Sequence, residues 1–250
     1  MRLVRFQVGE RASFGLLEGE EIAELAQFPA VSPEPTGKTY AVSDVKLLAP
    51  VEPTKIVCVG LNYSDHAAEL DQPLQQEPLI FFKPPSSIIA SGDSIELPHQ
   101  SDQVELEVEL AIVISQTAKN ISAEDADDYI LGYTIANDVT ARDLQFSDLQ
   151  WARSKGFDTF CPLGPWIETE LDFSTDYLES RINGKLTQRE SLSNMLTGPR
   201  QLVAHVSQNL TLNPQDIILT GSPAGISKIV SGDLVECEIS GIGVLSNPVA

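Results

Sequence analysis

The sequence predicts a mainly β fold with some α+β character, on three observations. Short apolar runs bounded by Gly, Pro or Asp recur from residue 51 onward. Helical spacing of apolar residues is confined to two stretches, and the first 50 residues open with short alternating segments. The 250-residue length suits one sizeable β-rich domain over residues 51–250 and a small N-terminal β-rich domain over residues 1–50.

Taken in order, Leu3–Val8 and Ser13–Leu17 alternate as strands do around a Gly-containing turn, and Pro29, Pro33, Pro35 and Gly37 mark a loop. Lys55–Val59 and Leu79–Phe82 are short apolar strands. Val104–Ile114 alternates and then becomes continuously apolar, and Asp216–Thr220 and Asp233–Ile239 complete the strands. Ser122 with Asp125 resembles a capping box before a helix over Ala126–Leu131, with Gly132 as its stop. Pro199 suits the first position of a helix running to about Asn209, in which Leu202, Val203, Val206 and Leu210 recur at helical spacing. Ser64 suits an N-cap just after the strand at 55–59.

A net charge of −20 argues against nucleic acid and anionic membrane as partners, because both require basic patches. No apolar run reaches membrane-spanning length and the N-terminus lacks a signal-peptide core, so the expected location is cytoplasmic. Cys58, Cys161 and Cys237 form no C-x-x-C pair and read as small buried hydrophobes in a reducing compartment. An acidic chain that takes an anionic substrate needs local positive charge, which a metal ion with a few Lys and Arg would supply.

The segment Val104-Glu105-Leu106-Glu107-Val108-Glu109-Leu110 carries the most chemistry. Residues two apart on a strand share a face, about 6.6 Å apart. The valines and leucines then face the core and the three glutamates share the opposite face, where their repulsion calls for a cation. Carboxylates are the hard ligands that Mg²⁺, Mn²⁺ or Ca²⁺ prefer; the other reading is a solvated acidic edge strand. Asp138 ends an apolar strand in a dense polar cluster where a further carboxylate would complete a metal site, and Arg142 beyond it is placed to clamp a substrate carboxylate or pair with an acid. Lys155 is a candidate for holding an anionic oxygen or stabilising an enolate, or else a surface lysine. His66 and Glu69, at i and i+3 of a helical turn, form a candidate general-base pair, whereas His99 and His205 read as structural. The turn Thr220-Gly221-Ser222-Pro223 would let a ligand approach the backbone, or is a plain turn.

In this order the segments resemble the fumarylacetoacetate hydrolase family. The resemblance is carried by Gly60-Leu61-Asn62-Tyr63 with Asp65-His66 and Glu69, by Phe82-Lys83-Pro84, by Glu107-Val108-Glu109, and by Asn137-Asp138 through Gln145. Lys155-Gly156-Phe157-Asp158, Asn183-Gly184, Gln188 and Thr220-Gly221-Ser222-Pro223 extend it, so that it spans about residue 55 to the C-terminus. Many relatives read Thr where this chain has Ser222.

The resemblance implies the family's β-roll with a small N-terminal domain, and a homodimer. It implies Glu107, Glu109 and Asp138 as ligands of Mg²⁺ or Mn²⁺, leaving out Glu105, which alternation alone does not separate from the others. It implies Arg142, Gln145, Thr220 and Gly221 at the substrate, and Lys155 with the His66–Glu69 dyad as catalytic groups under a lid between residues 61 and 78. The expected activity is carbon–carbon bond cleavage in a small 2-oxo or 2,4-dioxo acid, first of all hydrolysis of acylpyruvates. Decarboxylation or isomerisation of oxaloacetate or a 2-hydroxy-diene-dioate is the alternative, and a non-catalytic oxo-acid-binding protein the remote one.

Overall fold

The computed structural model describes residues 1–30, 32–74 and 76–250. Most of the apolar runs fall into one large sheet. Across it the order is Pro35–Ala41, Glu21–Leu25, Arg11–Glu18, Arg2–Val8, Cys161–Glu168, Ile130–Asn137, Val108–Ile114, Ile217–Leu219, Ile56–Gly60 and Leu79–Lys83. Neighbours along this path run antiparallel except Ile217–Leu219 beside Ile56–Gly60. Off this path Lys46–Leu48 pairs with Arg2–Val8 and Ile88–Ile89 with Cys161–Glu168, and a three-stranded sheet (Thr140–Ala141, Val104–Leu106, Ser227–Lys228) and a four-stranded one (Lys185–Ser191, Tyr177–Ile182, Leu234–Ile239, Gly243–Pro248) lie beside the large sheet.

The strands at residues 2–41 form a meander around Val4, Phe6, Leu17 and Ile22, continuous with the rest of the large sheet where Arg2 pairs with Glu168 and Leu3 with Ile167. The expected loop around Pro35 and Gly37 is instead the strand Pro35–Ala41. It lies at the sheet edge, where the missing N–H of proline breaks no ladder.

The helix Pro199–Asn209 forms as expected. Its Leu202, Val203 and Val206 pack on Val57, Val59, Ile112 and Ile114, while Ile56, Cys58, Ala111 and Val113 fill the layer on the other side of the same strands. The expected helix at Ala126–Leu131 is shorter. Ser122 Oγ does accept from the Asp125 amide, but only a 3₁₀ turn forms, at Ala126–Tyr129. Ile130–Asn137 is already a strand, and Gly132 lies inside it. A Cβ at Gly132 would sit 2.5 Å from the Glu168 carbonyl oxygen, so this glycine serves close strand approach and stops no helix. Ser64 is the first helical residue of Ser64–Glu69 and makes no capping bond; Tyr63 occupies the cap position.

The acidic strand departs furthest from expectation. Both its faces are buried, including Glu105, Glu107 and Glu109. It is also broken at Glu107, with Val104–Leu106 in the three-stranded sheet and Val108–Ile114 in the large one. Side-chain amides bridge the break: Asn137 Oδ1 accepts from the Glu107 amide at 3.0 Å and Gln188 Oε1 from the Val108 amide at 3.0 Å. These bonds satisfy backbone donors that the ladder abandons as the chain passes from one sheet to the other. All three cysteines are free and buried. Among the described residues no helix is long and apolar enough to cross a membrane.

Candidate active site

The site lies where the large sheet opens beside the break at Glu107. Glu109 is the second residue of the inner strand Val108–Ile114 and Asp138 follows its antiparallel neighbour Ile130–Asn137, with Val108 paired to Asn137. The Asp138 amide donates to the Glu107 carbonyl at 2.9 Å, which locks the two segments together. As a result one oxygen from each of Glu107, Glu109 and Asp138 lies within 4.8 Å of the others. Glu105 does not join them. The break turns it to Arg142, whose Nε donates to Glu105 Oε2 at 2.7 Å.

Three cations answer the four acids. Lys155, on the short helix Ala152–Gly156, donates to Glu107 Oε2 at 2.8 Å and Asp138 Oδ2 at 2.6 Å. Arg142, at the start of the helix Arg142–Ser147, also donates to Glu107 and Gln145. The third is Lys83, at the end of the strand Leu79–Lys83. It is fully buried and donates to Asp138 Oδ1 at 2.6 Å and the Val139 carbonyl at 3.1 Å. Sequence reasoning gave Lys83 no role, although a lysine set between Phe81-Phe82 and Pro84-Pro85 is a signal that could have raised one. The two short helices that carry Arg142 and Lys155 were also not predicted.

These contacts divide the acids. Burial opposes ionisation of Glu107, but Lys155 and Arg142 outweigh it and hold the carboxyl below its ordinary range. Glu109 has no ion-pair partner among the described residues and accepts only from the Gly221 amide at 2.7 Å. Burial, with Asp138 and Glu107 beside it, pushes its carboxyl well above the usual range. Burial works against the charge of Lys155 too, but Asp138 and Glu107 raise its affinity for the proton above the ordinary value. Three converging carboxylates, one without a counter-ion, fit a hard divalent cation such as Mg²⁺ or Mn²⁺.

Around this centre is a cavity of about 290 Å³, lined by all three acids together with Lys155, Arg142, Gln145 and His66. His66 is buried, and its Nδ1 lies 3.1 Å from Glu69 Oε2. The other Glu69 oxygen accepts from the Gly225 amide at 3.0 Å, which ties the helix Ser64–Glu69 to the loop after Ile217–Leu219. Thr220 is not among the cavity-lining residues; its hydroxyl is buried and donates to the Leu110 carbonyl at 3.0 Å. Gly221 supplies its amide to Glu109 from φ 94°, and a Cβ there would lie 2.8 Å from Asn62 Cβ. From this turn it is Ser222 that lines the cavity, its hydroxyl accepting from Gln188 Nε2 at 2.7 Å. His99 and His205 lie outside the cavity. The span 61–78, expected to form a lid, includes Gln75, which lies outside the described residues.

The family model for the fumarylacetoacetate (FAA) hydrolase C-terminal region matches residues 55–250. The chain belongs to the fumarylacetoacetate hydrolase family. A second family model, Rv2993c-like, N-terminal, matches residues 1–50. The chain is 44% identical to oxaloacetate tautomerase fahd2, mitochondrial, of Xenopus laevis over 83% of this chain and 69% of that relative. The structure of 5-carboxymethyl-2-hydroxymuconate delta-isomerase from Mycobacterium smegmatis is similar at 44% identity with a TM-score of 0.94, covering 100% of this chain and 99% of that one. Maleylpyruvate hydrolase from Sphingobium sp. SYK-6, solved in complex with manganese(II) ion and pyruvate, is similar at 28% identity with a TM-score of 0.82, again over 100% and 99% of the two chains. The fold is thus that of the fumarylacetoacetate hydrolase family. By name these three relatives are a tautomerase, an isomerase and a hydrolase.

Proposed function

We propose that this fumarylacetoacetate hydrolase family member is a divalent-metal-dependent enzyme that interconverts the keto and enol forms of a small 2-oxo acid, as a tautomerase or isomerase. One observation carries the reading: a buried, carboxylate-oriented histidine shares a 290 Å³ cavity with a three-carboxylate metal centre and a buried lysine. Proton transfer next to a carbonyl requires a base and a stabiliser of the enolate, and nothing more. The names of the tautomerase and the isomerase at 44% identity support the same reading.

Bound at Glu107, Glu109 and Asp138, Mg²⁺ or Mn²⁺ supplies a Lewis acid for the 2-oxo group. Glu69 fixes the imidazole through Nδ1, which leaves Nε2 of His66 to take the proton from C3. The C–H electron pair becomes the C2–C3 double bond and the 2-oxo oxygen gains the negative charge. Lys155 stabilises that charge from its place on Glu107 and Asp138. Return of the proton to carbon or to oxygen completes the interconversion. Arg142 and Gln145, bonded to each other, orient the substrate carboxylate. The reading includes a cytoplasmic homodimer in which residues 1–50 are appended to a catalytic domain of residues 51–250; light scattering tests the dimer and limited proteolysis the boundary.

The deciding experiment follows exchange of the C3 protons of 2-oxobutyrate with D₂O by NMR. Exchange should be enzyme-dependent, stop with chelator and return with Mg²⁺ or Mn²⁺. A rate no faster than that of the metal alone in buffer refutes the reading. Hydrolysis of acylpyruvates is the second reading, because a histidine held by a carboxylate can also activate water. Release of pyruvate together with a carboxylic acid from an acylpyruvate would establish it.

A further inference from the structure

The charges that line the cavity are gathered at the metal centre. Among the described lining residues the Lys and Arg side chains are Lys155 and Arg142 alone. Both are already engaged, Lys155 by Glu107 and Asp138, and Arg142 by Glu105, Glu107 and Gln145. His66 is held by Glu69.

Apart from Gln72, Gln145 and Ser222, the rest of the wall is apolar, and it begins at the centre itself. Lys155 Nζ lies 5.0 Å from the centroid of the Phe81 ring, and that ring meets Trp151 edge-on at 5.1 Å. Leu79 and Trp151 continue the wall over Gly60, where a Cβ would meet Leu79 Cδ2 at 3.2 Å and Trp151 Cζ3 at 3.6 Å. Leu61 and Leu70 add further apolar surface, and Phe146 is 67% exposed at the rim.

We infer that the substrate carries an uncharged, apolar tail beyond C3, alkyl or aryl, and that Phe81, Trp151, Leu79 and Phe146 select it against longer 2-oxo dicarboxylates. The inference rests on the 2-oxo acid reading above. A distal carboxylate on this wall would lose water and find no unengaged Lys or Arg among the described lining residues. Methylene groups there leave water for apolar surface, and so does part of the exposed Phe146 ring.

The test is calorimetric binding to the Mg²⁺-loaded protein of pyruvate, 2-oxohexanoate, 4-phenyl-2-oxobutanoate and 2-oxohexanedioate. Affinity should rise about fourfold per methylene from pyruvate to 2-oxohexanoate, the equivalent of about 0.8 kcal/mol each. The phenyl acid should also bind more tightly than pyruvate, and 2-oxohexanedioate at least about tenfold more weakly than 2-oxohexanoate. Trp151→Ala should shrink the gain per methylene. Leu79→Arg, checked for folding by its melting temperature, should shift preference toward the dioate. Equal or tighter binding of 2-oxohexanedioate than 2-oxohexanoate by the unaltered protein overturns the inference whatever the variants do. Failure to bind pyruvate itself overturns the reading of the metal centre as the 2-oxo acid site, and this inference with it.

Discussion

Glu109→Gln separates the metal-binding role of the acidic centre from its cost to the fold. The substitution keeps the shape of the side chain and an oxygen for the Gly221 amide, which lies 2.7 Å from Glu109 Oε2. It removes the one carboxylate of the three that has no ion-pair partner among the described residues. In metal-free protein, burial together with Asp138 and Glu107 raises the folded-state pKa of Glu109 above its unfolded value, about 4.3 for a free glutamate. The stability this group contributes is therefore fully present below that unfolded value and is lost as pH rises through the folded one. The metal-free variant should escape that loss and melt at or above the metal-free wild type at neutral pH. Metal binding reverses the order. At a free Mg²⁺ concentration 100 times Kd the wild type gains about 2.7 kcal/mol. At about 2–4 °C per kcal/mol for a chain of this size, that is a rise of about 5–11 °C. Loss of outer-sphere partners alone weakens metal sites by about 10–100-fold, so loss of a ligand should bring the variant's Kd to at least about the Mg²⁺ concentration used. The gain then falls to about 0.4 kcal/mol, or about 1–2 °C. Scanning fluorimetry of both proteins, with chelator and with Mg²⁺, reads all four values. A variant that keeps the full metal increment, or whose metal-free form melts several degrees below the wild type, refutes this account of the centre.

Glu105→Gln should leave Mg²⁺ affinity nearly intact and raise substrate KM, because Glu105 holds Arg142 and lies outside the ligand cluster; metal loss as severe as in Glu109→Gln would place Glu105 among the ligands. Lys83→Met breaks a buried pair, but Asp138 retains Lys155, so the low end of the usual cost, about 3 kcal/mol, is expected. That is about 6–12 °C in metal-free melts, partly restored by Mg²⁺; an unchanged melting temperature would show that the pair contributes nothing net. His66→Gln should slow C3 proton exchange by about 10²–10⁴ without loss of Mg²⁺ binding, and Glu69→Gln by less, because it orients the imidazole and does not take the proton. If His66→Gln exchanges protons at the wild-type rate, another group is the base.

Much of the secondary structure could be read from local pattern alone. Pro199 with Leu202, Val203 and Val206 specifies a helix whatever surrounds it; Lys55–Val59 differs from the observed strand by one residue at each end and Asp233–Ile239 by one residue at its start. Errors arose where a distant segment overrode the local signal. Gly132 reads as a helix stop, but the Glu168 backbone on the neighbouring strand decides its conformation. Pro35 and Gly37 read as loop, but Glu21–Leu25 pairs with them as an edge strand. The helices that carry Arg142 and Lys155 are too short to show a periodicity.

The same division runs through the site. The residue types of a metal centre and the order of its pieces are properties of the chain, so Glu107, Glu109, Asp138, His66, Glu69, Lys155 and Arg142 are candidates from the sequence alone. Strand parity puts Glu105, Glu107 and Glu109 on one face and has no means of separating them. The separation comes from Asn137 and Gln188, remote in sequence, whose amides take the backbone bonds on either side of the break at Glu107. Lys83 likewise becomes a partner of Asp138 only through the sheet that brings their strands to the same opening. The Thr220 hydroxyl is turned to Leu110 by the pairing of the strand it follows, Ile217–Leu219, with Val108–Ile114. Alternation and composition act over a few residues, whereas burial, the division of charge among the acids and the apolar cavity wall are set by segments tens of residues apart, so only the tertiary structure decides them.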